Sequence, residues 1–111
     1  MSVKLQNLKC KPCSVNTPKL NFNQINDNLK KLVNWNINEE GKMIFKKYKF
    51  KSFNDSLKFV NTIGQIADEQ SHHPDISLGF GYCLVMIHTH AIKGLSINDF
   101  ILASKIDLLS F

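Results

Sequence analysis

The segment Asp68-Glu69-Gln70-Ser71-His72-His73-Pro74 sets a carboxylate four residues ahead of a histidine pair and closes with a proline. Phe80, His90 and Asp99 follow further along the chain. Histidine is the side chain whose charge changes closest to neutral pH, so several histidines in one pocket can give and take protons there. On a helix, Asp68 and His72 share a face. Asp68 and the C-terminal end of the helix dipole both favour a cation at His72, which makes it a candidate proton donor. His90, at the end of a strand, supplies a second imidazole in a different electrostatic setting, as an acid/base pair requires. Each residue also has a plainer reading. His72 and His73 can simply close a helix, Asp68 can be a solvated carboxylate, Phe80 can be core, and Asp99 can be a capping acid. His88 and His90 form a His-x-His on one strand face, a spacing that metal sites use, with His72 or Asp68 as a third ligand. A surface or edge-strand place accounts for His88 as well, and we assign no metal.

Local patterns indicate the elements that position these residues. Residues 1–18, punctuated by Pro12 and Pro18, read as a tail. Asn21 is the N-cap of a first helix, with Gln24 as its reciprocal capping partner and Leu20 and Ile25 as the flanking apolar pair. Ile25, Leu29, Leu32 and Val33 carry that helix to Val33 or Asn34. Trp35 to Ile37 and Met43 to Phe50 form a hairpin around a turn at Asn38 to Gly41. Ser52 and Asp55 open a second helix whose apolar face is Leu57, Val60, Ile63, Ile66 and Ala67, widened by Phe59. Pro74 ends it near Ser71. Asp75 to Phe80 is a strand, with a bend or bulge where Gly79 and Gly81 bracket Phe80. Tyr82 to His90 is the strongest strand of the chain. After Gly94, Ser96 and Asp99 cap a last helix lined by Phe100, Ala103 and Ile106. The order α-β-β-α-β-β-α predicts an α+β fold: a four-stranded antiparallel sheet with three helices packed on one face.

A chain of 111 residues, 43% of them hydrophobic, is long enough for one domain with a core. We expect a tail at 1–18 and a single domain at 19–111. Small domains bury a modest share of their surface, so oligomerisation is expected. No apolar run reaches membrane-spanning length, and Met1 to Gln6 lacks the apolar block of a signal peptide, so the expected location is cytoplasmic. The formal charge is +5, carried by lysine without any arginine. Lys46, Lys47, Lys49 and Lys51 form a cluster that could attract an anionic partner. The absence of arginine and of an aromatic stacking pattern argues against nucleic acid. Cys10 and Cys13 make a lone C-x-x-C, read as reduced thiols in the tail, and Cys83 reads as a small buried hydrophobe.

Over residues 19–110 the chain resembles the pterin-4a-carbinolamine dehydratases, known in animals also as dimerisation cofactors of a homeodomain transcription factor. The resemblance is carried by Trp35, Phe50-Lys51-Ser52-Phe53, Phe59, His72-His73-Pro74, Thr89-His90, and Gly94-Leu95-Ser96 leading to Asp99. It implies a hydro-lyase that removes water from a 4a-hydroxytetrahydropterin to give a quinonoid dihydropterin, recycling the cofactor of aromatic amino-acid hydroxylases. It implies a homodimer or homotetramer, and a pterin that is substrate, with no metal or organic cofactor. Carried over residue by residue, His72 and His90 become the acid/base pair and His73 a pterin-holding residue that shares the proton work. Asp68, Phe80 and Asp99 become substrate-binding or supporting residues. Asp68 stands where relatives carry Glu, and Phe80 lacks the hydroxyl a Tyr would bring. The same resemblance allows a second reading, a non-catalytic partner-binding or regulatory module of the same fold.

Overall fold

The computed structural model describes residues 4–109; residues 1–3 and 110–111, the ends of the two expected ranges, lie outside the described residues. Helices α1 (Phe22–Leu29), α2 (Phe53–Gln70) and α3 (Ile97–Asp107) and strands β1 (Asn36–Ile37), β2 (Ile44–Lys49), β3 (Asp75–Gly79) and β4 (Tyr82–Ile87) follow the predicted order. The sheet is antiparallel throughout, in the order β1-β2-β4-β3, with α2 carrying the chain from β2 to β3. No helix among the described residues is long and apolar enough to cross a membrane.

The strand pleat turns alternate residues to opposite faces, and the core row shows it. Cys83, Val85 and Ile87 of β4 and Ile44 of β2 are fully buried, while Tyr82, Leu84 and Met86 are only partly covered. Cys83 is thus a core residue, as its sequence setting predicts. From α2 the buried side chains are Ser56, Phe59, Ile63 and Ala67. The face is therefore centred on Phe59 rather than on Leu57, which is exposed. Phe59 is the hub of an aromatic group, 4.6 Å from Tyr48 and 5.1 Å from Phe50 between ring centroids. Burying a side chain of this size contributes about 1.5–3 kcal/mol.

Local chemistry sets most element ends. Asn21 Oδ1 accepts the Gln24 backbone N–H and Gln24 Oε1 accepts that of Asn21, each at 2.9 Å. α1 stops at Leu29, earlier than predicted, because the Lys31 and Leu32 N–H groups turn back three residues and Asn34 takes positive φ. Ser52 Oγ accepts the Asp55 N–H and starts α2. Gly79 pairs with Tyr82, so Phe80 and Gly81 form a two-residue turn rather than a bulge, with Gly81 at φ +77°.

Two features bring distant parts of the chain to α3. Residues 5–13 lie along it: Leu5 enters the core, Lys105 Nζ donates to Gln6 O, and Asn98 exchanges two hydrogen bonds with the backbone of Lys11. This cover explains why α3 is buried nearly all round. At its C-terminal end Asp107 accepts from Trp35 Nε1 (2.9 Å), Lys46 Nζ (2.9 Å) and the Tyr48 hydroxyl. Lys46 also donates to Val33 O. The lysine cluster is thereby divided, with Lys46 used internally and Lys47 lying over the Tyr82 ring.

Candidate active site

The end of α2 decides where the two adjacent histidines go. Ser71 adopts the left-handed conformation (φ 51°), its N–H returning to Asp68 O and that of His72 to Ala67 O, a Schellman closure. This turn sends His72 inward and leaves His73 outside. His72 is 6% exposed, and its Nε2 lies 2.6 Å from Asp99 Oδ1. His73 is exposed and its Nε2 is 2.9 Å from Asp68 Oδ1. The predicted Asp68–His72 contact is replaced by Asp68–His73. The i, i+4 rule holds only while the helix continues, and the helix has ended by then.

Asp99 is fully buried in the first turn of α3 and holds a network together. Its Oδ2 accepts the Ser96 N–H at 2.9 Å, the capping bond read from sequence, and the Thr89 hydroxyl at 2.8 Å. With the Thr89 proton given to Asp99, Ser96 Oγ–H donates to Thr89 Oγ1 at 2.8 Å. Oδ2 takes both of these donors, and Oδ1 accepts Nε2–H from His72. Nδ1 is then the unprotonated nitrogen of the ring, and it accepts from the Cys13 thiol, 3.6 Å away. Asp99 is at once helix cap and histidine holder.

β4 ends at Ile87, before the predicted His90. Thr89 forms an isolated bridge with Gly94, and His90 opens a short 3-10 turn, His90–Ile92. This brings residues 88–91 against residues 71–75, and with Cys13 they line a cleft of about 320 Å³. That volume is at the small end for ligand sites. His72, His73 and His90 all line it. Another cleft, about 290 Å³, lies between residues 11–18 and the start of α3, where Lys11 is the only charged residue in its wall.

Asp68, Asp99 and Phe80 stand apart from the cleft wall in different ways. Asp68 and Asp99 reach it through the histidines they bond. Phe80, 76% exposed, sits at the tip of the β3–β4 hairpin, about 17 Å along the strand from Asp75. Sequence reasoning missed Cys13, Thr89 and Asp75. Thr89 had a signal: it continues the buried row Cys83, Val85, Ile87, and a polar group there needs a partner. Cys13 is 59 residues from His72, and no local pattern joins them.

Residues 18–109 match the family model described as Pterin 4 alpha carbinolamine dehydratase. A protein of Halorhodospira halophila is 42% identical over 100 residues, covering 90% of this chain and 92% of its own. One from Rickettsia bellii is 45% identical over 106 residues, covering 95% and 93%. Both carry the name pterin-4-alpha-carbinolamine dehydratase provisionally. Among solved structures, a transcriptional coactivator/pterin dehydratase from Brucella melitensis superposes with a TM-score of 0.78 at 24% identity, covering 82% of this chain and 97% of that one. It shares the fold. With sequence match over most of both chains and the histidine cleft in place, this chain belongs to the pterin 4 alpha carbinolamine dehydratase family.

Proposed function

We propose that this chain dehydrates a 4a-hydroxytetrahydropterin to the quinonoid dihydropterin by histidine acid/base catalysis, with the pterin as substrate and no bound cofactor. The observation that carries the reading is the convergence of His72, His73 and His90 on one small cleft. The 4a-hydroxyl leaves as water once protonated, and the electron pair of a ring N–H bond closes the new double bond as its proton departs. Both transfers need groups that exchange protons near neutral pH, and neither needs a nucleophile. His90 and His73 are exposed and can meet substrate from solvent. His72, fixed through Nε2 by Asp99, presents Nδ1 beside Cys13. Asp68 orients His73. Recycling of the cofactor of an aromatic amino-acid hydroxylase, homo-oligomeric assembly and a cytoplasmic place belong to the same proposal.

The test is the rate at which the 4a-carbinolamine absorbance decays after enzymatic pterin hydroxylation. The purified chain should accelerate it. His72→Ala combined with His90→Ala should remove the acceleration, since each acid/base group contributes roughly 10²–10⁴-fold. A double variant as fast as the parent overturns the roles.

A further inference from the structure

Asp75, His88 and His90 bring one ligand atom each to within 4.8 Å of one another. Asp75 pairs with Met86 across β3 and β4, His88 lies just past the end of β4, and His90 opens the 3-10 turn that follows. All three line the histidine cleft. His88 Nε2 is 3.4 Å from Asp75 Oδ2, and the His88 and His90 rings are 4.0 Å apart between centroids. Two ligand atoms bound at about 2.1 Å to one tetrahedral ion are themselves about 3.4 Å apart. The His88–Asp75 pair already has that spacing, and the third ligand needs only a small movement to join it. Two imidazoles and a carboxylate suit zinc, cobalt or nickel, whereas magnesium and calcium prefer all-oxygen sites. His88 has no part in the proposed dehydration, yet its ring lies against one that does.

We propose that Asp75, His88 and His90 bind one divalent cation of the zinc class, and that bound cation withdraws His90 from proton transfer. The inhibitory half rests on the dehydratase reading; the binding half does not. Chelator-stripped full-length chain titrated calorimetrically with Zn²⁺ alone should take up a single ion per chain. His88→Gln, His88→Ala and Asp75→Asn should each weaken uptake by at least roughly 10-fold, with circular dichroism unchanged. Co²⁺ should give a visible spectrum without a thiolate charge-transfer band, and Cys10→Ser with Cys13→Ser should leave both titrations unchanged. The binding site is overturned if the parent chain shows no saturable Zn²⁺ uptake, if uptake survives both His88 variants, or if it vanishes with the cysteines. In the dehydration assay Zn²⁺ should slow the parent and spare His88→Gln. Zinc that binds at this site without slowing the parent overturns the inhibitory half and upholds the site.

Discussion

Asp99 Oδ1 lies 2.6 Å from His72 Nε2, so the first turn of α3 holds the histidine that follows α2. Both groups are buried, and the carboxylate meets the Ser96 and Thr89 donors through its other oxygen. The bond fixes which imidazole nitrogen carries the proton.

Asp99→Asn tests that bond. An amide has one acceptor oxygen, and two donors compete for it on the Oδ2 side. With the oxygen kept there, the amide N–H₂ faces His72 Nε2 and forces the proton to Nδ1, the wrong nitrogen for the proposed site. We expect kcat/KM for dehydration to fall by roughly 10²-fold, alongside about 1–2 kcal/mol of lost stability from weaker hydrogen bonds. The fold should persist by near-ultraviolet circular dichroism. A variant with full activity would show that the tautomer of His72 is immaterial.

Asp107→Ala removes one carboxylate from three donors, Trp35, Lys46 and Tyr48. The Lys46 and Asp107 side chains are only 16% and 20% exposed, so water replaces the lost partner poorly. The expected loss is about 2–3 kcal/mol, and Lys46→Met in the Asp107→Leu background should recover part of it, because no buried charge is then stranded. Urea unfolding measures both. An unchanged midpoint in Asp107→Ala would mean that the cluster is not stabilising.

Alkaline pH should weaken the fold. Burial pushes the Cys83 thiol up to about 11, from 9.0. Burial, then the nearby Cys13, pushes Cys10 up to about 11. Tyr48 is raised too, by burial and by its bond to Asp107. A raised acid keeps its proton in the folded chain after the unfolded chain has released it. The associated stability is complete below pH 9 and is lost as pH rises towards 11. Urea midpoints at about pH 8 and about pH 10.5 should differ in that direction, and Cys83→Ala should flatten the slope. A midpoint that rises with pH across this window contradicts the burial of these groups.

The sequence was most informative where the physics is local. The Asn21–Gln24 box and the Ser96–Asp99 bond depend on residues three apart, and both form as read. The core row of β4 follows from alternation alone. What escaped was decided at a distance or by an uncommon backbone state. Ser71 is not glycine, so its left-handed turn had no mark, and that turn moved Asp68 from His72 to His73. Residues 5–13 looked like a tail because their partners, Gln70, Asn98 and Lys105, lie at least 60 positions away. No local pattern marks Asp107, whose partners Trp35, Lys46 and Tyr48 lie at least 59 positions away.

α3 carries a carboxylate at each end: Asp99 grips the histidine, and Asp107 grips the second strand of the sheet. The eight helical steps from Asp99 to Asp107 span about 12 Å and hardly stretch. The helix works as a ruler laid across the molecule. The position of His72 is measured from Lys46, Tyr48 and Trp35, none of which lines the cleft. Residues remote from the chemistry therefore share in setting its geometry.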